Sequence, residues 1–94
     1  MTQWTYLLLM KCELHAEMRV FQVVNNQQTP VLAFASRRSE NLVTMNFIIG
    51  AEKPRAQRIE ALLLRLQSIL RVDVFPITDA ASSAPVQEQQ NGDY

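Results

Sequence analysis

The sequence is poor in the residues that usually carry chemistry or cross-links. Its 94 residues include one cysteine, one histidine and two glycines, Gly50 and Gly92. A single cysteine excludes an intramolecular disulfide, which favours a reducing, cytoplasmic setting. Two isolated glycines do not make a glycine-rich loop of the kind that cradles phosphates. The sequence therefore indicates neither a disulfide-stabilised secreted protein nor a nucleotide-binding enzyme.

Long hydrophobic runs and an excess of one charge are missing as well. The longest strongly apolar run, residues 6–10, is far shorter than the roughly 20 residues that span a bilayer. No charged leader precedes it, so we expect neither a signal peptide nor a membrane anchor. The formal net charge is zero, whereas nucleic-acid-binding domains usually have a basic surplus. The expected partners therefore include neither a membrane nor a nucleic acid.

The composition that is present suits one small globular domain. Hydrophobic residues make up 48% of the chain and charged residues 19%, which is ordinary for a folded protein. All nine Lys and Arg lie in residues 1–77 with six of the nine Asp and Glu, which gives +3 there and −3 in residues 78–94. We expect a folded domain over 1–77 and a disordered, acidic and polar tail over 78–94. Because so short a chain buries little surface alone, dimerisation is favoured.

Hydrophobic periodicity predicts four strands and two helices. A helical stripe of Leu14, Met18, Phe21 and Val24 predicts a helix over 13–26. A second helix begins at Pro54, and its predicted stripe consists of Ile59, Leu62, Leu63, Leu66, Ile69 and Leu70. Strand patterns occupy residues 3–12, 30–36, 41–51 and 71–77.

The polar segment 37–41 is predicted as the loop of a β-hairpin between the second and third strands. It contains Arg37 and Arg38, which would either grip a phosphate or an acidic partner or, as is commoner, keep the surface soluble. In the third strand one face is uniformly apolar, and we assign this face to a helix-covered core: Val43, Met45, Phe47 and Ile49.

This order of elements predicts an α+β fold, a ferredoxin-like βαββαβ sandwich. It has a four-stranded antiparallel sheet with two helices on one face. Both faces of the first strand are apolar at its centre, where Tyr6 and Leu8 alternate with Leu7 and Leu9. The second face of the sheet should therefore also be covered, by a partner such as a second copy.

Three segments in this order, LHAEMRVFQVVNNQ, PVLAFASRRSENLVTMNFIIGA and PRAQRIEALLLRLQSILRVDVFPI, resemble ACT domains over residues 3–77. Within that family the layout is most similar to the small regulatory subunit of acetohydroxyacid synthase, also called acetolactate synthase. The resemblance implies a non-catalytic regulatory module of branched-chain amino acid biosynthesis that needs no cofactor. It also implies a homodimer, joined side by side, that attaches to a larger enzyme subunit.

The resemblance places an amino-acid effector at the loop between the first strand and the first helix. The equivalent residues here are Glu13, Leu14 and His15. ACT domains commonly have an Asp-Arg-Pro-Gly type of turn at this loop, whereas this chain has neither Gly nor Pro there. The carboxylate of Glu13 would also repel the carboxylate of an effector. A stand-alone interaction module that shares the fold without effector sensing is therefore the alternative interpretation.

Other chemistry has residues of the right type but too few of them. Cys12 and His15 have a Cys-x-x-His spacing that offers two soft-metal ligands, and a dimer would have to supply the rest. A core cysteine and a surface histidine are the commoner roles, so no metal site is predicted. Trp4, Tyr6 and Phe47 invite comparison with RNA-binding sheets, but the RNA-binding signature is absent. No nucleophile, acid and base are assembled, so no catalytic residue and no enzymatic activity are predicted.

Overall fold

The computed structural model describes residues 2–77, which form one antiparallel sheet and two helices. Along the chain the elements are β1 (Thr2–Lys11), α1 (Ala16–Asn26), β2 (Val31–Ser39), β3 (Leu42–Ala51), α2 (Lys53–Leu63) and β4 (Ile69–Ile77). The strand order across the sheet is β2-β3-β1-β4. The predicted ferredoxin-like fold is confirmed, and the tail predicted over 78–94 lies outside the described residues.

Both helices cover the same face of the sheet. Alternate residues of the two central strands point into the core and are at most 1% exposed: Tyr6, Leu8, Met10, Val43, Met45, Phe47 and Ile49. The helices complete this cluster with Val20, Val24, Ile59 and Leu63. The rings of Tyr6 and Phe47 stack at its centre with 4.9 Å between centroids. The apolar face predicted for the third strand is therefore confirmed, since side chains of a strand alternate strictly between its two faces.

Helix α1 begins later than predicted and buries a different stripe. His15 precedes it in a left-handed backbone conformation with φ of 65°, so Leu14 falls outside the helix and is 81% exposed. Met18 is 54% exposed, because it lies about 200° around the helix from Ala16. The predicted stripe is therefore wrong at Leu14 and Met18. The buried residues of α1 are Ala16, Val20 and Val24.

The hairpin between β2 and β3 is tighter than predicted. Strand β2 continues through Arg37 and Arg38 to Ser39, which pairs with Leu42. Only two residues connect the strands, and the first of them, Glu40, has a φ of 52°. The predicted loop over 37–41 is therefore wrong for its first three residues, because the backbone pairing with β3 outweighs their polar composition.

Helix α2 is shorter than its predicted stripe. It ends at Leu63, and β4 already begins at Ile69. The peptide before Ile69 joins the sheet, since the Lys11 N–H donates to the Ser68 carbonyl oxygen at 2.8 Å. Leu70, predicted in the buried stripe, is 50% exposed and belongs to β4. The leucine-rich composition of residues 59–70 did not by itself show where the helix ends.

In the described part of the chain, neither helix covers the second face of the sheet. Its apolar side chains include Leu7, Leu42 and Phe75, which are 39%, 41% and 49% exposed. They extend across three neighbouring strands, so they form one continuous surface, which we term the open face. Within residues 2–77, neither helix is long and apolar enough to cross a membrane.

Candidate functional site

The loop between β1 and α1, where an effector was predicted, is held by bonds within the chain. The Glu13 carboxylate accepts a hydrogen bond from the Ser68 hydroxyl, and Ser68 is only 4% exposed. The Cys12 N–H donates to the Asn41 carbonyl oxygen at 2.9 Å. Glu13, Leu14 and His15 follow one another in this loop, and Leu14 is 81% exposed. Their role in binding an effector stays a prediction.

The soft-metal alternative gains no ligands from the fold. Cys12 is a free, half-buried cysteine. Within residues 2–77, no group of three or more His, Cys, Asp or Glu side chains is arranged to hold a metal ion. Two ligands from one chain are too few for a structural zinc site, which takes four.

A groove of about 440 Å³ lies between α1 and the start of β2. Its apolar lining comes from Met18, Phe21, Pro30 and Val31, and its polar lining from Gln22, Asn25 and Thr29. Beside it, the rings of Phe21 and Phe34 pack edge to face with centroids 5.1 Å apart, yet Phe34 is still 58% exposed. The sequence did not predict this groove, because its lining comes from two separate segments, α1 and residues 29–31.

Polar contacts join the N-terminal turn of α1 to the end of β2. The Glu17 carboxylate accepts hydrogen bonds from the Ser36 hydroxyl at 2.8 Å and from the Arg38 guanidinium at 3.1 Å. These residues are partly or largely exposed, so the Arg38–Glu17 ion pair contributes at most about 1 kcal/mol. Its structural consequence is positional: the first turn of α1 lies over the last residues of β2.

A second and larger cleft, of about 500 Å³, lies beside the β3–α2 connection and shares Pro30 with the groove. Gln27 and Gln28, which follow α1, form one wall. Arg55 and Arg58 of α2 form the other wall, and Glu52 lies at the N-cap of α2. The remaining lining is Pro30, Gly50, Ala51 and Pro54. We term this site the β3–α2 cleft.

Two side-chain hydrogen bonds fix the β3–α2 cleft against the core. The Trp4 indole N–H donates to the Ala51 carbonyl oxygen at 2.9 Å, which holds the end of β3. The Tyr6 hydroxyl, fully buried, donates to the Ala56 carbonyl oxygen at 2.7 Å and so holds α2 on the sheet. Burial raises the pKa of the Tyr6 phenol well above its usual value near 10, and the charge of Glu60 raises it further. The phenol therefore remains a hydrogen-bond donor at any physiological pH.

Replacing Tyr6 with phenylalanine tests this bond. We expect Tyr6→Phe to lower the free energy of unfolding by about 1–2 kcal/mol, because a buried hydrogen bond is lost. As the pH rises above about 10, the unfolded chain ionises its tyrosine while the folded chain keeps the proton, so wild-type stability should fall. The variant lacks this term, so the difference between the two proteins in urea titrations should narrow in that range. A difference independent of pH would contradict the assignment.

The chain is similar to known proteins in structure but not in sequence. No model of a known protein family matches the chain, and no curated protein resembles it in sequence. Its structure, however, is similar to the ACT domain of GTP pyrophosphokinase from Chlorobium tepidum. The TM-score is 0.72 at 10% identity, and the match covers 80% of this chain and 100% of that domain. The chain therefore has the fold of an ACT domain.

Two further solved structures share this fold. The C-terminal domain of the MgtC protein from Mycobacterium tuberculosis matches with a TM-score of 0.65 at 10% identity, covering 84% of this chain and 90% of that one. A homoserine dehydrogenase from Thiobacillus denitrificans matches with a TM-score of 0.67 at 12% identity. That match covers 81% of this chain but only 17% of the dehydrogenase. The same fold thus occurs within a much longer chain.

Proposed function

We propose that this chain is a non-catalytic regulatory module of the ACT type, which binds a small molecule and works as a homodimer. The observation that carries the proposal is the open edge of the sheet at β2. Eight of the nine residues of β2 are exposed, and within residues 2–77 the strand pairs on one side only. Such an edge presents unpaired backbone N–H and C=O groups that are ready to pair with another strand.

The opposite edge of the sheet is less suited to pairing. Pro76 lies within β4 and has no N–H to donate. From Val31 to Ser39, β2 contains no proline, and it exposes Leu32 and Phe34 at 51% and 58%. These apolar side chains gain from burial if a second copy covers them. We therefore place the second copy at β2, where the two sheets would join into one of eight strands.

This pairing would complete an effector site between the two copies. Antiparallel strands related by a twofold axis place the start of one beside the end of the other. The start of β2 borders the groove lined by Met18, Phe21 and Val31, whereas its end lies beside the first turn of α1. The loop of residues 13–15 of one copy would thus face the groove of the other. An apolar groove with a few polar groups suits the side chain of a branched-chain amino acid.

The open face would carry the larger enzyme subunit, which we propose to be an acetolactate synthase or a related enzyme of amino acid biosynthesis. Lys11 and Arg37 lie at one end of this face, while Arg71 pairs there with Asp73 at 2.8 Å, the only acid on this face in the described strands. Two copies of this face would bring Lys11 and Arg37 close to their counterparts, and these like charges would repel. A partner with an apolar patch and acidic side chains around it would fit better. The reduced Cys12 is in keeping with the cytoplasm as the setting.

Binding to the catalytic subunit of a thiamine-diphosphate-dependent acetolactate synthase tests this proposal. We expect the chain to co-purify with that subunit and to make its activity respond to valine, leucine or isoleucine. Phe75→Glu, which places a charge on the open face, should abolish co-purification. Leu64→Glu changes a leucine of similar exposure, 56%, at the C-terminal cap of α2. This variant should co-purify as the wild type does.

Thermal unfolding separates sensing from mere interaction. An effector at about 100 times its dissociation constant adds about 2.7 kcal/mol to the free energy of unfolding. For a domain of this size that raises the Tm by roughly 10 °C or more. A chain that neither binds the enzyme nor gains stability with any of the three amino acids would contradict the proposal. Enzyme binding without any gain in stability would favour the interaction module that lacks effector sensing.

A further inference from the structure

We propose that the β3–α2 cleft is a second small-molecule site, distinct from the loop of residues 13–15, and that it takes a small zwitterion carrying both a carboxylate and an ammonium group. The fold itself contains two equivalent halves, β1–α1–β2 and β3–α2–β4. The β3–α2 connection in the second half corresponds to the β1–α1 loop in the first. Because Thr2 pairs with Ala51 and Lys11 with Leu42, the two connections lie at opposite ends of the sheet.

The two equivalent connections differ in how open they are. At the first, the Glu13 carboxylate is bonded to Ser68 and the left-handed position is taken by His15. At the second, Gly50 and Ala51 form part of the floor of a cleft of about 500 Å³. This volume falls within the range of about 300–1,000 Å³ that small-molecule sites usually have. The first connection is filled by its own contacts, whereas the second, which follows Gly50 and Ala51 of β3, leaves space.

The charges that line the cleft decide the class of ligand. Arg55 and Arg58 lie three residues apart on α2 and so project from neighbouring positions of one face. Within residues 2–77 neither guanidinium forms an ion pair, and both border the cleft. Two guanidinium groups bind a carboxylate through charge-assisted hydrogen bonds. One end of the ligand is therefore an anion.

The other end of the ligand is a cation or a hydrogen-bond donor. The Glu52 carboxylate borders the same cleft, and Gln27 and Gln28 bring two amide oxygens to the wall opposite the arginines. A multiply charged phosphate would meet the repulsion of Glu52. An ammonium group is attracted to Glu52 and can donate to the amide oxygens of Gln27 and Gln28. The carboxylate of Glu52 beside the two arginines therefore favours an amino acid or a similar zwitterion over a simple anion.

The walls of the cleft are held in position before any ligand binds. The Trp4 indole N–H holds the Ala51 carbonyl oxygen at 2.9 Å, and the Tyr6 hydroxyl holds the Ala56 carbonyl oxygen at 2.7 Å. Ala56 lies between the two arginines along α2. Because floor and wall are fixed by the core, ligand binding costs little ordering of the site.

Amide chemical-shift mapping on the full chain tests the second site. The isotope-labelled protein is titrated with each of the common amino acids in turn, at millimolar concentration, and then with inorganic phosphate. We expect at least one amino acid to move the amide signals of Gln27, Gln28 and residues 50–58. Its analogues without the amine or without the carboxylate should bind at least about tenfold more weakly, because each loses one of the two charged contacts.

Substitution of one arginine gives the matched comparison. Arg58→Gln should weaken binding of that amino acid at least about tenfold, whereas Arg65→Gln, on the exposed segment after α2, should not. Unchanged spectra outside the cleft show that each variant folds. Shifts confined to residues 13–22 would overturn the second site and leave the proposed effector loop standing. Phosphate binding tighter than any amino acid would overturn the class of ligand, and no shift with any of them would overturn the site itself.

Discussion

Replacing Phe47 with alanine is expected to cost about 3–5 kcal/mol of unfolding free energy, the usual cost of truncating a buried aromatic. Phe47 is 1% exposed, lies in the central strand β3 and stacks on Tyr6. A domain of this size has a total stability of only about 5–15 kcal/mol. The loss is therefore a large fraction of the total, and the urea midpoint of the variant, followed by circular dichroism, should fall well below that of the wild type.

Phe75 is the matched control for the other side of the sheet. It is also a strand phenylalanine but lies on the open face, where it is 49% exposed. Because Phe75→Ala leaves no closed cavity, it should cost less than about 1 kcal/mol. Similar losses in the two variants would mean that both faces are covered within one chain, which the fold described above does not allow.

The fold could be predicted because the apolar residues of the central strand β3 recur with a clear period of two. Val43, Met45, Phe47 and Ile49 alternate with more polar residues, and a shift by one position would move all four into water. Such a pattern has one solution in a sheet covered on one side. The order of the strands across the sheet then follows from the order of the elements along the chain, since a split pair of βαβ units packs its helices together.

Helix α1 and the hairpin were harder to predict because backbone geometry decided them. Leu14 and Met18 have the spacing of a buried stripe, but the left-handed conformation of His15 delays the helix to Ala16. Histidine is enriched at positive φ only to the extent that asparagine and aspartate are, which is a much weaker signal than a glycine would have given. In the same way, Arg37 and Arg38 look like loop residues and are paired strand residues.

The candidate sites could be predicted only where they lie within one segment. The loop of Glu13 to His15 follows from the family resemblance, which points to the connection between the first strand and the first helix, and its role stays a prediction. The β3–α2 cleft joins Gln27 and Gln28 with Arg58, about thirty residues later in the chain, and such a meeting depends on how the helices pack. The available signal was Gly50 shortly before Pro54, which marks a strand-helix connection equivalent to the first.

Placing a lysine at position 32 is expected to break the homodimer. Leu32 is 51% exposed on β2, and antiparallel pairing centred on Ala35 would place it opposite Arg38 of the partner subunit. Leu32→Lys removes apolar burial from both copies and adds like-charge repulsion twice. The combined cost of about 3 kcal/mol corresponds to an approximately 100-fold weaker dimer. Lysine on an edge strand is also the substitution that natural sheets use against pairing.

Leu64→Lys provides the control for this experiment. Leu64 is 56% exposed and caps the C-terminal end of α2, a helix that contacts β1 and β4. It carries the same change in size and charge away from the proposed interface. This variant should therefore dimerise as the wild type does, and its thermal stability reports any cost of the lysine itself.

Sedimentation equilibrium of the wild type, Leu32→Lys and Leu64→Lys tests the central claim most directly, that the chain works as a pair joined at β2. The account predicts the mass of two 10.8 kDa chains for the wild type and for Leu64→Lys, and of one chain for Leu32→Lys at the same concentration. A wild type that stays monomeric as its concentration rises, or a Leu32→Lys dimer as tight as the wild type, would contradict it.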